Sequence, residues 1–177
     1  YGGLQDNGTW GIPARTYSRS GILNEDVVNV GGGDGFAPAI DPRDFTTVYS
    51  ESQYGGLRRV DLVTGSSSGI KPVPPDTSET YRFNWNSPIL ISPHDPQTLY
   101  FGANVVFKSR NRGDSWEVIS PDLTRQISRD SLPLQGRIQP PEAIDLHMST
   151  ALYGNISTLS VSSSRPGLVA AGTDDGL

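Results

Sequence analysis

The chain has 177 residues, 14 Lys and Arg against 19 Asp and Glu, and a net charge of −5. The absence of clustered basic residues argues against a groove for nucleic-acid phosphates and disfavours anionic membranes; with no Cys, disulfides and thiolate metal sites are excluded. Twenty Gly, fourteen Pro and no apolar run of helical length describe short strands joined by turns, an all-β chain with no cofactor or metal motif and no membrane-inserting segment.

The chain begins on Tyr1-Gly-Gly-Leu, a strand end, and turns at Gln5-Asp6-Asn7-Gly8 before Trp10. Gly31-Gly-Gly-Asp34-Gly35 leads into a strand predicted over 35–40, and a second strand is predicted over 47–51 before Gln53-Tyr54-Gly55. Residues 66–80, rich in Ser and Pro, read as an insertion. Asn84-Trp85-Asn86 precedes strands expected at 88–91 and 98–102, followed by Ala103-Asn104. A second insertion runs over 124–149 and includes a short helix expected near 141–147, with Glu142, Asp145 and His147. Tyr153-Gly-Asn155 introduces strands at 156–161 and 168–172, and Thr173-Asp174-Asp175-Gly176 closes the sequence. A first residue already inside a motif and a last strand without a partner give the chain the look of a piece of a longer protein.

Three segments superpose without gaps: those starting at Ile40, Ile91 and Val161, each an apolar strand end, a Pro or Asp turn and a new apolar strand. Tyr1-Gly-Gly-Leu falls where Ala170-Ala-Gly-Thr sits in a further copy. Repeats of this length, with about four short strands each, predict propeller blades. The divisions are a remnant over 1–30, a blade over 31–80, a blade with an insertion over 81–149 and the start of another over 150–177. In such a blade the loop before the first strand and the loop after the second share one rim, and the remaining turns share the other.

The octapeptide Ser109-Arg-Asn-Arg-Gly-Asp-Ser-Trp116 resembles an Asp-box, with Asn111 at the Asp position. Asn keeps the short polar side chain that bonds back to the turn and tolerates left-handed backbone. With Gly3 to Gly8, Gly31 to Phe36, Tyr81 to Pro88, Tyr153 to Ile156 and Ala171 to Gly176, the chain resembles the BNR or Asp-box β-propeller superfamily. Specifically, it resembles the bacterial sortilin-like (VPS10-like) group often labelled glycosyl hydrolase. The resemblance implies a secreted, periplasmic or cell-surface propeller of six or more blades, about three of them here, completed by the remaining blades of the parent chain. It implies a structural role for Ser109, Asn111, Gly113, Ser115 and Trp116, which shape the hairpin and plug the space between strands. No Arg-Ile-Pro signature occurs, and Arg15, Arg58, Arg59 and Arg82 do not reproduce a sialidase triad; the lack of Cys separates the chain from the sorting receptors.

Two functions follow. One is binding of a polysaccharide or peptide at the channel mouth, with Asn7, Tyr54, Asn84, Trp85, Asn86, Asn155, Asp174 and Asp175 as the contacts. The other is a glycoside hydrolase of the xyloglucanase or glucanase kind, which needs two carboxylates roughly 5 to 10 Å apart. Asp34, among small neighbours, and Asp6, across the groove, are the candidate pair, and Glu51 lies on the same rim. Asp34 and Asp6 are equally suited to bonding the amides of their own turns. Trp85 between two amides has the composition of a sugar platform, and also that of packing between blades; Trp10 shares the ambiguity. His94 is expected on the opposite rim. Asn7 and Asn155 each begin an Asn-x-Ser/Thr triplet.

Overall fold

A computed structural model of the chain describes residues 1–76, 80–144, 146, 148 and 152–176. Thirteen strands are assigned among these residues: β1 (Gly2–Leu4), β2 (Gly8–Gly11), β3 (Val28–Gly31), β4 (Ala39–Ile40), β5 (Thr47–Ser52), β6 (Gly56–Asp61), β7 (Ser67–Gly69), β8 (Ile89–Ile91), β9 (Leu99–Gly102), β10 (Val106–Ser109), β11 (Glu117–Val118), β12 (Ile156–Val161) and β13 (Val169–Thr173). The chain is all-β, and its helical content among the described residues is three short 3-10 turns. Strands pair antiparallel in chain order, giving sheets β1-β2-β3, β4-β5-β6-β7, β8-β9-β10-β11 and β12-β13. No closed barrel or ring forms among the described residues.

Consecutive sheets pack against each other because their central strands are apolar on both faces. In a strand, neighbouring side chains point to opposite sides. Val48 and Val60 thus meet Val30 of the first sheet, whereas Tyr49 and Leu57 join Phe101 and Phe107 of the third. Tyr100 and Val106, one residue away from those phenylalanines, face Ile156 and Leu159 of the fourth. Each fully buried Phe or Leu side chain contributes about 2 kcal/mol by leaving water.

The three turns that superpose in sequence carry the same main-chain bonds. Thr47, Thr98 and Leu168 donate to Asp44, Asp95 and Arg165, and Asp41, Ser92 and Ser162 donate to Thr47, Thr98 and Leu168. Side chains reinforce two of them. Asp44 accepts from Thr46 and Thr47, and Asp95 from Gln97 and Thr98, which holds both carboxyls below the usual range.

Two expectations for the insertions need correction. Part of the 66–80 segment is strand β7, which pairs with β6 and leads into buried Ile70. Its Ser-Ser-Gly is exposed throughout, so it lacks the apolar alternation that marks a strand. The described residues of 141–146 form turns, closed by Ala143 N–H to the Pro140 carbonyl, in place of the expected helix. Asp145 and His147 lie outside the described residues.

Candidate functional site

The loops that lead into β4, β8 and β12 meet the turns that follow β1, β5 and β9. At the first junction Gly8 N–H donates to the Gly33 carbonyl and Gly35 N–H to that of Leu4. The two chains touch so closely that a Cβ on Gly3 would lie 2.0 Å from the Gly35 carbonyl carbon. Here the expected catalytic pair fails as a pair of accessible carboxylates. Asp34 is 5% exposed and its Oδ1 accepts the Asp6 main-chain N–H at 2.7 Å, so it ties the turn that Asp6 enters with a positive φ of 63°. Asn7 stays exposed, donating to the Gln5 carbonyl, and its own carbonyl accepts Trp10 Nε1–H.

At the third junction Asn155 and Asp175, two of the expected ligand contacts, are buried in the fold. Asn155 is fully buried and its Oδ1 accepts Asn84 Nδ2–H at 2.7 Å, while its own amide donates to the Leu152 carbonyl. Asp174 Oδ1 accepts the main-chain N–H groups of Gly154 and Asn155. Asp175 is buried, accepting from Arg125 N–H and Thr173 Oγ–H. Arg82 adds a tie that its sequence context does not announce: Nε–H to the Gly154 carbonyl and Nη2–H to Asp122 and Thr124. Burial pushes the Asp122 carboxyl up, but the bonds from Thr124, Asn104 and Arg82 outweigh it and bring the group to about 2. Asn84, Asn155 and Asp175 are therefore joints between the third sheet's loops and the fourth sheet, a correction to their expected role as ligand contacts, whereas Asp174 braces the start of β12 within its own sheet and stays exposed.

The second junction differs. Strands β5 and β6 are joined by Gln53-Tyr54-Gly55, with Tyr54 and Gly55 at φ of 58° and 71°. Two successive left-handed residues suit the twist of a hairpin, and an aromatic in the first position stores of the order of 1 kcal/mol of strain. A Cβ on Gly55 would strike the Phe83 ring at 2.5 Å. Tyr54 N–H donates to the Trp85 carbonyl, and the two rings meet edge to face at 5.1 Å. Tyr54 is 37% exposed, Trp85 is half-buried and Asn86 is exposed, its amide N–H held by Asn84 Oδ1.

Under this pair sits Glu51, named in the sequence only as a rim carboxylate. It shares a face of β5 with Tyr49, is 3% exposed, and accepts Ser87 N–H on Oε1 at 2.8 Å. Oε2 is buried with no partner. Burial pushes the carboxyl up to about 8, against the opposing pull of the Ser87 and Gly55 amides and of Lys71. Lys71 donates from Nζ to the Tyr54 carbonyl at 2.8 Å and lies 4.5 Å from the Phe83 ring centre.

The 109–116 turn lies beside the other set of turns. Ser109 Oγ accepts the N–H groups of Gly113 and Asn111 and donates to Asn111 Oδ1, which also accepts Ser115 N–H. Asn111 Nδ2 donates to Ser115 Oγ, a bond a carboxylate could not make. Trp116 packs on Phe101 and Phe107 and donates from Nε1 to the Ile70 carbonyl, linking the second and third sheets. Arg112 reaches Asp41 and Asp44 of the neighbouring turn, and a polar hollow is lined by Arg59, Ser68, Arg112 and Asp114. His94 lies on this side, its Nε2 at 2.9 Å from the Ser162 carbonyl.

No His, Cys, Asp and Glu group of three or more that could hold a metal occurs among the described residues, and no described helix is long and apolar enough to cross a membrane. Compared with known proteins, the chain matches no family model, no curated protein and no solved structure.

Proposed function

We propose that the chain is part of an extracytoplasmic BNR/Asp-box β-propeller, about three blades of it, that binds a polysaccharide at the rim formed by the loops before β8 and after β5. The blade reading is supported by two four-stranded antiparallel sheets running in chain order and by identical main-chain bonds in three turns 51 and 70 residues apart. The observation that carries the binding reading is the Tyr54–Trp85 edge-to-face pair beside exposed Asn86. Aromatic faces pack against the C–H face of a sugar ring while an amide bonds its hydroxyls, and a strained Tyr54 fixes the ring in advance.

The hydrolase alternative is weakened at one member of its nominated pair, since Asp34 is buried and bonded to the Asp6 main-chain amide while Asp6 itself is exposed. Affinity electrophoresis through gels containing β-glucan or xyloglucan tests the proposal. The chain is expected to be retarded, and Trp85→Ala to run freely. Retention of neither polysaccharide, or binding of a peptide library in its place, contradicts it. Hydrolysis of either polymer that Asp34→Asn abolishes would restore the enzyme reading.

A further inference from the structure

Glu51 is a buried ionisable group that neither the fold nor the ligand platform uses fully. Glu51 joins two parts of the rim: its Oε1 takes the Ser87 amide of the 84–87 loop, and the Gly55 amide of the 53–55 turn bonds the same carboxyl. The next bond outward is Tyr54 N–H to the Trp85 carbonyl, so the carboxyl sits behind the aromatic pair. Oε2 has no acceptor or donor. The charged group acting on it is Lys71, from the segment after β7, and that ammonium is spent on the Tyr54 carbonyl and the Phe83 ring. The groups facing Glu51 from the 84–87 loop are the Ser87 amide and hydroxyl.

We propose that Glu51 is a proton-operated clasp between the 53–55 turn and the 84–87 loop: protonated, it leaves Lys71 on the Tyr54 carbonyl, and deprotonated, it grips the Ser87 and Gly55 amides more strongly and draws Lys71 from the Tyr54 carbonyl, which resets the Tyr54–Trp85 pair. The proton leaves to solvent from Oε2, since Oε1 already accepts an N–H. The new carboxylate then has one buried oxygen without a donor, and an unpaired buried charge is far costlier than a neutral acid. Lys71 is the cation positioned to answer it. Burial lowers the Lys71 ammonium and Glu51 raises it, so ionisation of Glu51 strengthens the attraction between them.

As regulation of the proposed ligand platform, the clasp rests on that reading for its biological meaning, but its test needs no ligand. The Glu51 side-chain 13C carboxyl, the Trp85 indole and the Tyr54 amide are followed by NMR from pH 4 to 9.5 on the whole chain. All three are expected to shift together with a midpoint near the value of about 8 set by burial, and Glu51→Gln is expected to abolish the indole and amide shifts. A Glu51 carboxyl titrating in the ordinary carboxylate range, or a Trp85 shift that survives Glu51→Gln, overturns the clasp. The wild-type carboxyl decides the matter even if the variant folds poorly. A failed polysaccharide screen alongside concerted titration would sink the ligand reading and leave the clasp standing.

Discussion

Replacing Glu51 by Gln removes the ionisation and keeps the shape. The carboxyl rises from 4.5 to about 8 in the folded chain because of burial. A group raised in this way stabilises the fold fully below pH 4.5, and the contribution is lost as pH climbs towards 8. Between pH 4 and pH 7 the wild type therefore gives up roughly 3 kcal/mol, about 1.4 kcal/mol for each pH step above 4.5. The Gln variant has no such loss. Its amide N–H2 meets the same lack of a partner as the protonated Oε2, so that penalty cancels when the two proteins are compared across pH. Urea unfolding of both, at half-unit pH steps from 4 to 9, should show the stability gap in favour of Glu51→Gln widening by about 3 kcal/mol up to pH 7 and levelling above pH 8. A gap independent of pH, or one that closes as pH rises, would refute the buried neutral acid.

Other perturbations test the joints. Ser109→Ala removes the acceptor of two turn amides and should cost about 2 kcal/mol in urea midpoint analysis; no change would show that the 109–116 turn is held by something else. Trp116→Ala should cost about 3 kcal/mol by loss of packing on Phe101 and Phe107 and of the bond to Ile70, with the loss read by thermal unfolding. Gly35→Ala puts a methyl 2.3 Å from the Gly8 carbonyl oxygen, so the first and second sheets must part. Faster amide exchange at Gly8 and Gly31 is expected, and unchanged protection there would contradict the close approach.

What the sequence revealed follows from how local the signals are. The strands at 47–52, 99–102 and 156–161 carry β-branched, aromatic or aliphatic residues bounded by Asp, Ser and Pro turns, and both strand composition and turns are properties of adjacent residues. Strand β7 was hidden because both its faces meet solvent. The fate of the polar rim was not legible for a different reason. Asn84 and Asn155 look like free amides in sequence, yet they bond each other across 71 positions, and Asp34 finds the Asp6 amide 28 positions away. Composition cannot tell a polar group aimed at a ligand from one that satisfies a distant neighbour. Glu51 did leave a trace: two positions after Tyr49 on the same strand face, inside a run otherwise suited to burial, a carboxylate stands where an apolar side chain is expected.

The most direct measurement is a map of where the ligand lands. A xyloglucan or β-glucan oligosaccharide titrated into 15N-labelled protein should shift the amides of Tyr54, Gly55 and Asn86 and the Trp85 indole, leaving Arg59, Ser68 and Asp114 in place. Shifts confined to the hollow beside the 109–116 turn, or no shifts at the Tyr54–Trp85 pair, would contradict the assignment of function to this rim.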